Sequence, residues 1–213
     1  MRARYIDFHT HILFDVDHGV KTCEEYERLL DAYLAAGITE IVLTPHIDNP
    51  SVTTKKSNID VNFETAKKIA ADKGMKVLLG CEYYLDSQLN PEIPAINGLY
   101  VLCEFPVDHK PYGLEGKLEK LSDKGYEVVI AHIERYRWLR PGSPEVEFFR
   151  NMGAWIQMNA ASAGKFKSRR YLKKGLIDII ASDNHGNEKM PALLRKCLDD
   201  NPEVLQRMQN LDL

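Results

Sequence analysis

Three features of this 213-residue sequence predict an α/β fold closed into a barrel. Seven short apolar runs recur along the chain, each followed by an amphipathic helix or a long polar loop, and that alternation marks a parallel sheet. The runs are continuous rather than alternating, as strands buried on both faces require. Residues able to hold cations stand at the ends of six of the seven. In a barrel the C-terminal ends of all strands meet on one face, whereas an extended sheet would spread them apart. An open doubly wound sheet is the other closure of this alternation, but no Gly-x-Gly-x-x-Gly follows the first strand to support it.

The first strand covers residues 5–11 and ends in His9 and His11. After a polar loop, Thr22 caps a helix, with Glu25 three positions on completing a capping box. Tyr26, Leu29, Leu30, Tyr33 and Leu34 give that helix its apolar face, and Gly37 ends it. Strand two is the β-branched run 38–44, and residues 47–60 form a long polar loop. Helix 61–73 leads to strand 75–80, then to a looser segment with Pro91 and Pro94 and to strand 99–105. Helix 114–124, strand 126–131, helix 144–152 and strand 154–158 follow. A short helix at 169–174 precedes the last strand at 176–181. Two helical stretches, 191–198 and 202–208, close the chain. There are no internal repeats, low-complexity tracts or linkers, so a single domain over residues 1–213 is expected.

Composition narrows the function classes. Hydrophobic content of 44% and charged content of 28% are ordinary for a globular protein. A net charge of -3 offers no reason to expect nucleic acid or membrane insertion, and no run approaches the ~18 apolar residues of a span. Four separated cysteines (Cys23, Cys81, Cys103, Cys197) form no Cys-x-x-Cys and read as small buried hydrophobes in a reducing compartment, with the cytoplasm as default.

The strand ends carry the chemistry. His9 and His11, two apart, project to the same side of a strand. Strand two is followed by His46, strand three by Glu82, strand four ends in Glu104, and strand five is followed by His132. Strand seven is followed by Asp183 and His185 at the same i, i+2 spacing. Strand six offers only Gln157 and Asn159. Taken singly, His46 could cap a loop and His132 could be a satisfied core histidine. Glu82 and Glu104 end apolar runs, where an unpaired carboxylate is costly and cation coordination removes the difficulty. The loop at Asp15, Asp17 and His18 adds one more ligand, from Asp17 or His18. His109 reads as an ordinary loop residue.

So many nitrogen and oxygen donors exceed what one tetrahedral zinc needs. They suit two or three divalent ions bridged by carboxylates, with manganese, iron or zinc as candidates. Three such ions bring six positive charges against three negative ones from Glu82, Glu104 and Asp183. The resulting cationic pocket favours a phosphate dianion, and phosphoester hydrolysis by metal-activated hydroxide is the simplest chemistry.

The ordered set His-x-His, Thr-Pro-His, Gly-x-Glu, Glu-Phe-Pro, Ala-His-x-Glu-Arg-Tyr and Ala-Ser-Asp-x-His resembles the PHP (polymerase and histidinol phosphatase) superfamily. Within it the likeness is to the bacterial capsule-associated, manganese-dependent protein-tyrosine phosphatases, and it runs from about Asp7 to Pro191. The resemblance implies a distorted (β/α)7 TIM-like barrel of PHP type holding three divalent metal ions, manganese by family habit, with iron, zinc or magnesium as alternatives. It also implies a phosphotyrosine substrate on the tail of a bacterial tyrosine kinase that governs capsule or exopolysaccharide synthesis. By motif, one metal takes His9, His11, Glu82 and Asp183. A second shares Glu82 and adds Glu104 and His132. The third takes His46, His185 and Asp17 or His18. Arg135, in the fifth motif, is the phosphate-binding fork.

This chain departs from the resemblance in two places. His18 stands where close relatives carry a carboxylate. Lys189 stands near the end of the last motif, where relatives carry a phosphate-binding arginine; it is the second catalytic candidate, able to substitute as a point charge though not as a bidentate fork. Rival signatures fail: no cysteine precedes an arginine at the spacing of cysteine-nucleophile phosphatases, Gly19 breaks the aspartyl-nucleophile pattern, and there is no P-loop. A histidinol-phosphate type small-molecule phosphatase, a metal-dependent amidohydrolase and a non-catalytic metal-bound docking module are the alternatives.

Overall fold

The computed structural model describes residues 3–86 and 93–213; Met1, Arg2 and Pro91 of the sequence reading lie outside them. Nine strands and seven α-helices occur among the described residues. The order is β1 (Ile6–Thr10), α1 (Cys23–Ala35), β2 (Glu40–Leu43), β3 (His46–Ile47), α2 (Ile59–Asp72), β4 (Lys76–Leu79), β5 (Glu82–Tyr84) and β6 (Tyr100–Glu104). Then come α3 (Leu114–Asp123), β7 (Glu127–Ile130), α4 (Pro144–Asn151), β8 (Trp155–Asn159), α5 (Phe166–Lys173), β9 (Ile179–Ala181), α6 (Met190–Asp199) and α7 (Pro202–Met208). Short 3-10 turns at Lys56–Asn58, Ile133–Arg135 and Ala160–Ser162 fill the connections.

Every pairing between these strands is parallel, in the orders β1-β2-β4 and β3-β5-β6-β7-β8-β9. The seven expected strands are all present, and two short ones not expected, β3 and β5, follow the second and third. Pro45 has no N–H to donate and separates β2 from β3, which begins just past the second run. Gly80 separates β4 from β5 in the same way; a Cβ there would lie 2.2 Å from Ile96 Cγ1, so only glycine fits. The two breaks are level: Gly80 donates to the Leu43 carbonyl (3.0 Å) and Glu82 to that of Pro45 (3.1 Å). The last strand returns to the first, because the Asp183 N–H donates to His9 (2.9 Å) and the His11 N–H to Asn184 (2.8 Å). A seven-stave α/β barrel results, as expected.

The helices follow their sequence signals. Thr22 and Glu25 exchange the reciprocal bonds of the capping box, each 3.2 Å, a feature worth about 1 kcal/mol. Tyr26, Leu29, Leu30 and Tyr33 are buried along one stripe of α1. Helix α5 begins at Phe166 rather than 169. Its inward positions are Ser168 and Tyr171, and a buried serine hides the apolar period that would have revealed the first turn. Aliphatic side chains of β2, β6, β7 and β9 fill the barrel, each worth about 1.5–3 kcal/mol when fully buried. The four cysteines are free. Among the described residues, no helix is long and apolar enough to cross a membrane.

Candidate metal centre

Because all the staves are parallel, their C-terminal ends share one face, and strand alternation turns chosen side chains into it. His9 and His11 leave β1 on the same side. Glu82 opens β5 beside His46 of β3, its register partner, and Glu104 ends β6. His132 and Asp183 sit just beyond β7 and β9 with φ of 29° and 53°, a left-handed region that costs a non-glycine residue on the order of 1–3 kcal/mol. Two such residues facing one cluster mark where the fold holds strain for a purpose.

The donors converge on Glu82. Its Oε2 lies 3.3 Å from His9 Nε2, 3.1 Å from His11 Nε2 and 3.1 Å from His46 Nδ1, while its Oε1 is 2.6 Å from His132 Nε2. His9 Nε2 and His11 Nε2 face each other at 3.1 Å, and Asp183 Oδ1 stands 3.7 and 3.5 Å from them. Glu104 Oε1 is 3.1 Å from His46 Nδ1. The His185 ring stacks on His11 at 4.2 Å and lies 4.4 Å from that of His18, which stacks on His46 at 5.1 Å. Four sets have ligand atoms within 4.8 Å of one another: His9, His11 and Asp183; His46, Glu82 and Glu104; His11, His46 and His185; and Asp17, His18 and His46. His132 joins through Glu82, so all ten metal-ligand candidates from the sequence are gathered.

Charge explains why protein contacts alone do not satisfy this cluster. Burial opposes a proton on His9 and His11, yet Glu82 and Asp183 hold the His9 imidazole above its usual range, and Asp17 and Glu82 hold that of His11 well above it. Burial also opposes the Glu82 and Asp183 carboxylates, but His9, His11 and His132 keep Glu82 well below the usual carboxylate range and Asp183 below it. Burial and the neighbouring His11 push His185 down to about 4. Glu82 Oε2, Asp183 Oδ1 and His132 Nδ1 are buried without a hydrogen-bond partner. Orphaned buried donors and acceptors of this kind are costly, and N and O ligands around them fit borderline divalent cations.

The loop at 17–19 divides its duties. Both Asp17 oxygens are taken: Oδ2 accepts from His46 N–H (3.2 Å) and lies 2.9 Å from His11 Nδ1, while Oδ1 accepts from Gly19 N–H (2.9 Å). Those contacts hold the Asp17 carboxyl below its usual range against burial. Gly19 is obligatory, since a Cβ there would fall 1.9 Å from the His11 carbonyl oxygen. His18, partly exposed, turns its ring into the imidazole stack.

In the sequence, Gln157 and Asn159 read only as the uncharged end of strand six, and Asn49 only as part of a polar loop, because an amide by itself gives no sign that it orients a charged neighbour. Gln157 Oε1 accepts from His132 N–H at 2.5 Å and lies 3.4 Å from His9 Nδ1. Asn159 Nδ2 donates to Asp183 Oδ2 (2.7 Å) and Asn49 Nδ2 to Glu104 Oε1 (2.5 Å). Strand six thus serves the site with amides. Buried Asp7 accepts from Ser182 N–H (2.9 Å) and Tyr33 OH (2.6 Å), pinning the strand end that carries Asp183.

A cleft of about 350 Å³ opens over the cluster. His46, Glu104 and His185 form its polar floor, and Tyr84, Pro106 and Val107 part of its wall. Arg135 stands at the cleft with Nη1 3.4 Å from Asp183 Oδ2. Lys189 is not brought there: it is exposed at the start of α6 and is not among the cleft-lining residues. His109 is exposed in a loop, as expected.

Comparison with known proteins agrees with this architecture. Residues 5–208 match the family described as capsular polysaccharide synthesis, CpsB/CapC. The tyrosine-protein phosphatase CpsB of Streptococcus pneumoniae is 32% identical over 216 residues, covering 91% of this chain and 88% of that protein. A solved structure from work on Bacillus subtilis YwqE and Streptococcus pneumoniae CpsB, described as unique metal-dependent tyrosine phosphatases, superposes with a TM-score of 0.77 at 28% identity. That match covers 97% of this chain and 96% of the other. A TatD family hydrolase from Entamoeba histolytica, 11% identical with a TM-score of 0.59 and covering 99% of this chain and 98% of the other, shares the fold alone. The chain belongs to the CpsB/CapC family.

Proposed function

We propose, from that membership and the geometry of the cluster, that this chain is a metal-dependent protein-tyrosine phosphatase acting in capsule or exopolysaccharide synthesis, with the phosphotyrosine-bearing tail of a bacterial tyrosine kinase as its substrate. The observation that carries the reading is the convergence of six imidazoles with Glu82, Glu104 and Asp183 beneath a cleft that Arg135 borders. In this reading three divalent ions, manganese by family habit, are held by His9, His11, Glu82 and Asp183; by Glu82, Glu104 and His132; and by His46, His185 and His18. Asp17, with both oxygens engaged, orients His11 in place of binding directly. Divalent cations held there supply Lewis acidity toward phosphoryl oxygens and acidify water at the site.

The chain's own residues do the remainder. Arg135 offers a planar fork to the phosphoryl oxygens, and its contact with Asp183 keeps it poised over the cluster. Gln157 and Asn159 fix His132 and Asp183, so the donors need no rearrangement when charge develops. Tyr84 leaves β5 on the same face as Glu82, two residues further toward the rim, and with Pro106 and Val107 it gives the cleft an apolar wall suited to an aryl ring. That wall favours a phosphotyrosine over a small polar ester such as histidinol phosphate. Lys189 has no part in this assignment. The test is a turnover panel with manganese: rapid hydrolysis of a phosphotyrosine peptide and p-nitrophenyl phosphate with little on histidinol phosphate is expected, and the reverse order would overturn the reading.

A further inference from the structure

Six of the chain's 28 lysines and arginines fall within residues 165–174, a stretch with no carboxylate. They are Lys165, Lys167, Arg169, Arg170, Lys173 and Lys174, on and around α5. All but Lys167 are exposed, and among the described residues none of the six holds a carboxylate. Elsewhere six arginines take one: Arg4 with Glu40, Arg28 with Glu188, Arg135 with Asp183, Arg137 with Asp108, Arg150 with Asp178 and Arg195 with Asp199. In a chain of net charge -3 this is a concentrated positive face. Phe166 projects from it 80% exposed, with the Arg170 guanidinium 5.9 Å from its ring centre.

The position of this face matters as much as its charge. Helix α5 follows β8 and the turn Ala160–Ser162, so its first turn emerges at the rim where the cluster lies. Lys167 Nζ donates to the carbonyl of Tyr136, the residue after Arg135. The basic helix is thereby fastened to the segment that carries the phosphate-binding candidate.

We propose that the start of α5, through Lys165, Arg169, Arg170 and Phe166, is a docking surface for an acidic peptide segment flanking the phosphotyrosine that enters the cleft. This rests on the phosphatase reading and deepens it by naming the sequence context of the substrate. Charge complementarity and the fastening to the Arg135 segment favour a peptide over an anionic membrane, which would call for no alignment with the cleft.

The test uses the full-length protein and a Lys165→Glu/Arg169→Glu/Arg170→Glu variant, whose exposed substitutions leave the core intact. Two phosphotyrosine peptides with acidic or neutral flanks, and p-nitrophenyl phosphate, are compared at low and high salt. Wild type should prefer the acidic peptide by roughly tenfold in kcat/KM, with the preference fading as salt screens it. The variant should lose that preference while hydrolysing p-nitrophenyl phosphate at the wild-type rate. Fluorescence anisotropy with the unphosphorylated acidic peptide reads docking without catalysis. Tight binding to wild type alone, in a protein inactive on every phosphoester, would sink the phosphatase reading and keep the docking surface. Equal kcat/KM for both peptides in wild type, or an acidic preference that survives charge reversal, would overturn the proposal. So would adsorption of wild type to phosphatidylserine vesicles without any peptide preference.

Discussion

The two ends of the barrel are built on opposite rules. At the closed end, Arg4 makes a two-pronged pair with Glu40, 2.6 Å on each prong, and donates a third bond to Leu211 O (3.2 Å). Gln209 answers the Arg4 backbone in both directions at 2.9 Å, and the Tyr5 hydroxyl donates to Asp199 at 2.6 Å beneath the Arg195 guanidinium. Each of these charged groups has its partner. At the open end, imidazoles face imidazoles, buried oxygens lack donors, and His132 and Asp183 hold strained backbone. The lesson is that the closed end is arranged for stability and the open end for something the protein chain does not itself supply. Changes at one end should therefore be read in activity and metal content, and changes at the other in stability alone.

Glu82→Gln strikes the comparison hardest. It leaves the shape of the side chain but removes the anion at the centre of the cluster, so metal content should fall and turnover drop by at least 10²-fold. Full metal stoichiometry in that variant would remove Glu82 from its bridging place. Arg135→Ala should keep the metals and lose about 10²- to 10³-fold in kcat/KM, and Arg135→Lys should recover only part of it. Unchanged kinetics would separate Arg135 from the chemistry.

Chelation should lower the melting temperature by at least about 5–10 °C, the fall expected for each cation bound at a hundredfold excess over its Kd. The pH profile should shift as well. In stripped protein, the raised His9 and His11 contribute stability that is complete below the ordinary imidazole pKa of about 6.5 and is lost as pH rises through their higher values. The depressed Asp17, Glu82 and Asp183 contribute stability that is present above the ordinary carboxylate pKa of about 4 and is lost as pH falls. Stripped protein should thus be most stable between those limits, and metal, which competes with protons for imidazole, should move the optimum upward. Identical optima with and without metal would contradict a metal-loaded cluster.

Asp17→Asn should weaken metal binding by about 10- to 100-fold, as loss of an orienting carboxylate does, whereas His18→Asp should be tolerated because a carboxylate can serve at that position. The reverse ranking, measured by metal titration, would exchange their roles. The smallest functional effect belongs to the closed end. Arg4→Ala should cost about 1–2 kcal/mol of stability and leave kcat/KM as it was. A fall in turnover at intact metal content would show that the two ends are not independent.

Local pattern determined a good deal of this protein. Seven continuous apolar runs, a capping box at Thr22 and paired ligand-type residues at strand ends depend on neighbours within a few positions, and each came through in the structure. The ten donor candidates were legible because imidazoles and carboxylates at the ends of buried strands are out of place unless something pairs with them. Only the tertiary structure could decide what depends on distant contacts. That Pro45 and Gly80 break two staves at one level, that Asp17 is consumed by His11 and His46 while His18 is left to face the cluster, that Gln157 and Asn159 orient charged neighbours, and that Lys189 stands clear of the cleft are set by residues up to 148 positions apart. A side chain's chemistry is written in its own codon, but whether that chemistry is spent on a neighbour or kept for a ligand depends on which strand the closed barrel lays beside it.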